Sequence, residues 1–366
     1  MKTGIDAKWY FEGPVSNRLV VQKLVQHMIA ANKGHRLYFF LNRKHRHLPF
    51  HFSGPGIETV YVWGGNNLIS NLFILPFYGK KLGLDGILYQ NFGSFWGPER
   101  WVYIHDVVFL SHPRFFSLAE RLYFSFMPLL LRFAAKIITI SYSEKKRIET
   151  WCPGLKVPVE VVHHGRDGRF LPAEKCPQNE LNEVKSRLGL PGRYLLFVGR
   201  LNVRKNLGRL AEAVMAVPDC PPLMIIGEKD WKSDPGLDSL LEKGETEGKL
   251  RRLGKVSAND LPLVYAGAEI FCFVSLAEGF GLPVLEAMSA GIPVLTSADS
   301  AMSEICGSAA EYCNPMDTQS IAQALSSLLN DREKRAQLSL AGLKRQEEFD
   351  WDHTAKRLLE IMEKKS

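Results

Sequence analysis

A rhythm in the chain narrows the possible folds more than any single motif. Short apolar runs alternate with segments of helical period, and the alternation restarts once along the 366 residues. "HRLYFFLN", "ETVYVW", "GILYQNF", "WVYIHD", "KIITIS" and "VEVVHHG" are brief and rich in β-branched or aromatic residues, so they read as strands. A first strand lies near Gly4–Ala7. Between it and "HRLYFFLN" runs "NRLVVQKLVQHMIAANKG", where Val21, Val25, Ile29 and Val20, Leu24, Met28 recur every four residues. Asn17 can cap the start of that helix and Gly34 its end. A strand–helix–strand unit predicts a parallel sheet with helices on both faces, and so an α/β fold.

The rhythm breaks at the polar, proline-bearing "LPAEKCPQNELNEVKSRLGLPGR" and resumes with "YLLFVG", "LMIIG", "KLRRLG", "EIFCFVS" and "IPVLTS". The length suits two cores, so the spacing predicts one domain over 1–172 and a second over 173–349. Ligands of open parallel sheets bind outside the carboxyl ends of the strands, and two such sheets facing each other leave a central cleft there.

Two strand exits carry the chemistry. "YLLFVGRLNVRKNLGRLAEAV" ends a strand at Gly199 and starts a helix near Asn206, with Arg200 and Lys205 bracketing the turn. Glycine lets backbone approach a ligand, a helix start offers free N–H groups, and two cations beside them suit a diphosphate. Ordinary solvated loop charge is the alternative. "EGFGLPVLEAMSAGIPVL" follows the strand "EIFCFVS" and places Glu278 and Glu286 around a glycine-rich turn. Pro283 fits the first position of a helix running to about Ala290, which puts Glu286 in its first turn. The amides of Gly279, Phe280, Gly281 and Leu282 can face a ligand. A carboxylate accepts two hydrogen bonds from a vicinal diol. One glutamate can therefore hold each sugar of a two-sugar ligand, with the diphosphate between them. In the plainer reading Glu286 complements the helix dipole and Glu278 is a solvated acid.

These residues resemble the retaining nucleotide-sugar glycosyltransferases of family 4, particularly bacterial mannosyltransferase-like members. "GKVSANDLPLVYAGAEIFCFVSLAEGFGLPVLEAMSAGIPVLTS" resembles that family's E-x7-E block, and "VGRLNVRKN" its phosphate-binding turn. "YIHDVVFLSHPRFF" is similar to its His-Asp motif, "ITISYSEKKRI" to the strand and helix after it, and "VVHHGRD" to a turn late in the first domain. "FDWDHTAKRLLEIM" is similar to a final helix, over 350–366, that rejoins the first domain. The resemblance implies two Rossmann-like domains with parallel sheets facing a central cleft, the GT-B type. It implies transfer of a hexose, mannose favoured, from a nucleoside-diphosphate sugar to an acceptor hydroxyl with retained configuration, in cell-surface glycan or glycolipid synthesis. By position, Arg200 and Lys205 clamp the diphosphate, and Glu286 holds the ribose. Glu278 with Gly279, Phe280 and Gly281 holds the transferred sugar. His105 contacts that sugar, and Asp106 orients the motif or meets the acceptor. The chain departs from the family pattern at the first loop, "EGPVSNRL", whose only glycine is Gly13, at Val274 before Ser275, and at His164-Gly165.

Charge is uneven: a net +10 over residues 1–180 stands against −3 over the remainder. The first half therefore prefers an anionic partner. Arg43, Lys44 and Arg46 in "LNRKHRHLPFHF" are expected on the cleft rim, receiving a glycan, lipid-linked or phosphorylated acceptor or the anionic membrane face that carries it; a solvated loop is the alternative. Nucleic acid is not expected as a partner, for lack of aromatic-interleaved basic motifs, zinc spacing or a helix-turn-helix. A dinucleotide oxidoreductase would need a Gly-x-Gly-x-x-Gly turn. An epimerase on the same architecture, and a glycosidase using both glutamates, stay open as other chemistries. The six cysteines form no C-x-x-C pair and read as reduced. No His/Cys ligand cluster appears, and neither a metal nor a cofactor is expected beyond the donor. "MKTGIDAKWYFEG" has no apolar signal core, which suits a cytoplasmic protein, peripheral to a membrane at most. "LYFSFMPLLLRFAAKIITIS" reads as a buried helix and strand rather than a span.

Overall fold

The computed structural model describes residues 1–52, 54–229, 236–298 and 301–364. Two compact units emerge, Met1–Gly165 with Asp350–Ser366, and Arg166–Phe349. The sequence reading had put the first change of domain at 172/173. The backbone changes unit seven residues earlier, between Gly165 and Arg166, ahead of the polar stretch rather than at its start.

The first unit is a seven-stranded sheet of β1 (Lys2–Asp6), β2 (Arg36–Asn42), β3 (Ile57–Val62), β4 (Gly86–Gln90), β5 (Glu99–Ile104), β6 (Lys136–Thr139) and β7 (Val159–Val161). The order across it is β3-β2-β1-β4-β5-β6-β7, and every pairing is parallel. The second unit holds β8 (Leu195–Val198), β9 (Leu223–Ile226), β10 (Leu250–Gly254), β11 (Ile270–Phe273), β12 (Val294–Ser297) and β13 (Ala310–Cys313), ordered β10-β9-β8-β11-β12-β13 and again parallel. Counted from its own first strand, the second sheet runs 3-2-1-4-5-6, the doubly wound Rossmann order, and the first runs the same way with a seventh strand added at its edge. Helices cover both faces of such a sheet, so its strands are apolar throughout rather than alternating. Leu37 to Leu41 in β2 and all of β11 are buried.

Three details differ from the sequence reading. The first long helix, Val15–Ala31, starts two residues before Asn17, because Pro14, with φ −57°, stands at its cap, and it ends at Asn32 rather than Gly34. β13, "AEYC", was missed: two of its four residues are only half-buried, so it lacks an apolar run. "LYFSFMPLLLRF" forms two short helices, Leu118–Phe124 and Phe126–Leu131, that bury only one side. Met127, Leu130 and Leu131 face the core with Phe92, Val102 and Ile104, while Leu122, Phe126, Leu129 and Phe133 stay exposed. No helix among the described residues is long and apolar enough to cross a membrane.

Candidate active site

In a sheet of this order the connections leave in opposite directions on either side of the first and fourth strands, which opens a crevice outside their carboxyl ends. In the second unit those strands are β8 and β11. Their exits are the two segments that the sequence singled out, and the structure ties them together. Leu276 N–H donates to the Arg204 carbonyl at 2.8 Å. The Asn206 amide donates to the Val274 and Pro315 carbonyls at 3.0 and 2.7 Å. Asn206 takes a left-handed conformation, φ 58°, between a tight turn at Val203–Lys205 and the helix Leu207–Ala216. Gly227, at the exit of β9, lets a third backbone press in: a Cβ there would lie 1.9 Å from the Gly199 carbonyl oxygen.

A buried charge cluster occupies this junction. Lys205 Nζ donates to Glu278 Oε1 at 2.7 Å and lies 4.5 Å over the Phe273 ring. Arg204 Nη1 donates to Glu278 Oε2 at 3.0 Å and to the Ala277 carbonyl at 2.9 Å. Glu278 is only 6 % exposed. Burial alone would push its carboxyl up, but the charges of Arg204 and Lys205 outweigh it and hold the group below the usual carboxylate value. The structure thus brings Lys205 and Glu278 together. It leaves Arg200 exposed at the strand exit. It adds Arg204, which the reading passed over although it stands beside Lys205 in "RKN".

Glu286 is the fifth residue of the helix Leu282–Ser289, not in its first turn, so the dipole reading fails for it. The helix starts at Leu282, one residue before Pro283, behind Gly281 at φ 110°. Tyr265 Oη donates to Glu286 Oε2 at 2.9 Å. Burial pushes the Glu286 carboxyl up to about 8, with the Tyr265 hydrogen bond opposing, the Asp167 charge adding and Arg169 opposing. Arg169 Nε and Nη2 donate to Asp167 at 3.0 and 2.7 Å. Tyr265, Asp167 and Arg169 were not among the expected site residues, and nothing local marks them. Phe280 is buried with its ring 5.9 Å from Phe349, so its side chain serves packing.

In the first unit His105 follows β5. Its Nε2 lies 2.8 Å from Gln90 Oε1, and its N–H donates to Asn91 Oδ1 at 2.9 Å. Burial pushes the imidazole down to about 3, so it is neutral at ordinary pH. His164, also buried, lies 6.3 Å from His105 and 5.4 Å from Trp351, ring to ring. Gly165 beside it is required by close approach, since a Cβ would stand 2.2 Å from the Trp351 nitrogen. Half-buried Asp106 accepts from Val108 N–H at 3.4 Å. Gly13, at φ 91°, lines a cavity of about 210 Å³ with Lys8, Trp9, Glu12, Gly64, Gly65 and Asn67. Lys8 is buried and donates to Asp6 and Asn71 at 2.6 and 2.7 Å. Arg43 and Lys44 sit in a tight turn after β2. Lys44 pairs with Glu12, and Arg46 lies 5.9 Å over Tyr61. The chain does contain one Asp-x-Asp triplet of the kind that can hold a divalent metal, Asp350-Trp351-Asp352, and it serves a helix start: Asp350 accepts from Asp352 N–H, and Asp352 lies 2.6 Å from His27 Nδ1.

Comparison with known proteins bears on the fold and on residues 178–345. Residues 178–345 match the family model described as glycosyl transferases group 1. Over 164 residues, 44% of this chain and 43% of the relative, the chain is 37% identical to O-antigen chain mannosyltransferase B of Escherichia coli. The chain spans less than half the length of that relative. Sucrose-phosphate synthase from Thermosynechococcus elongatus superposes with a TM-score of 0.78 at 18% identity, covering 99% of this chain and 98% of that one. Anabaena HepE in complex with UDP and glucose does so at 0.71 and 17%, covering 99% and 98%. These likenesses show the fold, that of GT-B glycosyltransferases.

Proposed function

We propose that the protein is a retaining glycosyltransferase of family 4 that moves a hexose, mannose first, from a nucleoside-diphosphate sugar to an acceptor hydroxyl. The observation that carries this reading is the Lys205–Glu278–Arg204 cluster, with Lys205 and Glu278 buried and Arg204 half-buried, where the β8 and β11 exits meet. Negative charge grows on the departing diphosphate as the glycosidic bond breaks. Fixed cations and helix-start amides answer that charge without reorganising, which is where such sites gain most. In this reading Lys205, Arg204 and Arg200 face the diphosphate, Glu278 faces the transferred sugar with the turn Gly279–Leu282, and Glu286 takes the ribose diol. The positive charge comes from side chains, so no divalent metal is needed. Within the first unit, His105 and Asp106 are the candidates for sugar and acceptor chemistry, and the Gly13 cavity with the Arg43, Lys44 and Arg46 loop is the candidate place for a glycan, lipid-linked or phosphorylated acceptor. The mannosyltransferase likeness supports mannose and a role in surface-glycan synthesis, and the HepE complex makes UDP-glucose the second donor to try.

Incubation with a panel of sugar nucleotides tests the reading. One nucleoside diphosphate is released, chelation with EDTA leaves the rate unchanged, and NMR of the product shows the donor's anomeric configuration. Release that survives in Glu286→Ala and Lys205→Ala would remove the site assignment. An inverted product would remove the retaining mechanism.

A further inference from the structure

We propose that Gln90 and Asn91 are positioning residues for His105, holding it so that its Nδ1 accepts a hydrogen bond from a hydroxyl of the transferred sugar; this rests on the reading above, in which His105 serves that sugar. Gln90 closes β4, and His105 follows β5, the strand paired beside it. The Gln90 side chain is buried and turns its oxygen to the imidazole, with Oε1 2.8 Å from Nε2. An amide oxygen only accepts, so the proton of the neutral ring belongs on Nε2. Burial keeps the ring neutral down to about 3, which leaves Nδ1 a bare lone pair at ordinary pH. His105 is only 6 % exposed, and among the described residues its Nδ1 has no hydrogen-bond partner. A buried acceptor without a donor is costly, so a donor from outside the chain is what this nitrogen suits. A sugar hydroxyl supplies one, whereas an ionised carboxylate or phosphate brings only acceptors.

Asn91 fixes the backbone of His105 as Gln90 fixes its ring. Asn91 is left-handed, φ 62°, a conformation that asparagine tolerates better than most residues with a side chain. In that turn its N–H donates to the Tyr103 carbonyl at 2.9 Å, and its Oδ1 accepts from the His105 N–H at 2.9 Å. The turn is itself braced. Phe92 N–H donates to the Gln90 carbonyl at 2.7 Å, and the Asn71 amide donates to the Phe92 carbonyl at 2.8 Å. Asn71 Oδ1 in turn accepts from Lys8 Nζ at 2.7 Å, and Lys8 also donates to Asp6 at 2.6 Å. Asp6, Lys8 and Asn71 are all buried. Fixed hydrogen bonds therefore run from the end of β1 to the turn that holds His105. The Trp9 and Tyr103 rings flank the imidazole at 5.6 and 5.3 Å.

Nitrogen NMR of the full chain carrying isotope-labelled histidine tests the positioning without substrate, so its outcome is separable from the transferase reading. The spectrum of His105→Asn identifies the resonances. Near neutral pH one His105 ring nitrogen is expected to read as protonated and the other as bare, with long-range couplings placing the proton on Nε2. Gln90→Met removes the amide oxygen and is expected to mix the two tautomers, while Gln90→Glu, still an acceptor, keeps a proton on Nε2. Where a sugar nucleotide is turned over, its addition is expected to shift the bare Nδ1 signal. Gln90→Met is then expected to lower kcat on the order of 10–100-fold, as for other partners that fix an imidazole. Asn91→Gly keeps the left-handed turn but loses the acceptor, so it is expected to lower kcat, and Asn91→Asp to restore most of it. A proton on Nδ1, an imidazolium near neutral pH, a bound donor that leaves Nδ1 unmoved, or Gln90→Met unchanged in tautomer and rate would overturn the proposal. With the tautomer as expected and no sugar nucleotide turned over, the positioning of His105 stands and the transferase reading falls.

Discussion

The carboxylate of Glu278 decides how the two cations beside it act. A buried lysine without a partner would shed its proton, and a buried glutamate without one would keep it. Held at 2.7 and 3.0 Å, the two cations keep Glu278 ionised and are fixed before any ligand arrives. Lys205→Ala removes one of them while Arg204 still balances Glu278. The fold is therefore expected to survive, and kcat to fall on the order of 100–1000-fold, as for loss of one oxyanion donor. Arg204→Ala is expected to cost more than Arg200→Ala, because Arg204 orients Glu278 whereas the Arg200 side chain is exposed. Single-turnover release of nucleoside diphosphate gives the order, and a larger loss at Arg200 would show that the exposed arginine is the main clamp. Glu286 has its own signature. Its carboxyl is protonated below about 8 in the free protein, and a diol donates best to the ionised form. Donor affinity by calorimetry is expected to rise with pH up to about 8 and then level, and Glu286→Gln to flatten the curve.

At the scale of elements, the turn from β11 into the helix Leu282–Ser289 depends on Gly281. Its φ of 110° suits glycine alone, and a Cβ would come within 2.3 Å of Met302 Cε. Gly281→Ala is expected to destabilise by about 2–3 kcal/mol, combining backbone strain with overpacking. Met302 is buried, so Met302→Ala has its own cavity cost. The two share one clash, and urea unfolding of the double variant should fall short of the summed losses by about 1 kcal/mol. The strands were legible because parallel strands buried on both faces are unbroken apolar words, as in "RLYFFLN" and "IFCF". β13 was not, since half its side chains face water. Helix ends were legible only roughly, because Pro14 rather than Asn17 caps the first long helix and Gly281 caps the other, which starts one residue before Pro283. The proximity of Lys205 and Glu278 could be anticipated because both lie in segments that leave neighbouring strands, whereas Glu286 lies inside the helix that follows. Tyr265, Asp167 and Arg169 were not legible, because the strand order, rather than any local pattern, brings them to Glu286.

For the molecule as a whole, the buried ionisable groups divide by unit and give the two units opposite responses to acid. In the first unit His105 is depressed to about 3 and His164 is well below 6.5, both mainly through burial. Between about 3 and 6.5 the unfolded chain takes up protons that folded His105 refuses, so stability is lost as pH falls through that window. In the second unit Glu286 is raised to about 8 from 4.5. There the folded state holds a proton that the unfolded chain releases, so stability is lost as pH rises from 4.5 toward about 8. Each fully differential proton is worth about 1.4 kcal/mol per pH unit. Two domains of ordinary stability, about 5–15 kcal/mol each, would show such slopes plainly. Pulse proteolysis at about pH 5, 6.5 and 8, with the peptides assigned to residues 1–165 or 166–349 by mass spectrometry, separates them. Going from about 6.5 to 5, the first unit is expected to weaken and the second to gain. From about 6.5 to 8 the first changes little, because its buried histidines are already neutral in the fold and the unfolded chain sheds only its remaining fraction of a proton per histidine, and the second weakens. Glu286→Gln is expected to abolish the second unit's loss at high pH and leave the first unit's acid response intact. Parallel slopes in both units would mean that some other group governs the acid response, and would undo the assignment of a protonated Glu286 in the free protein.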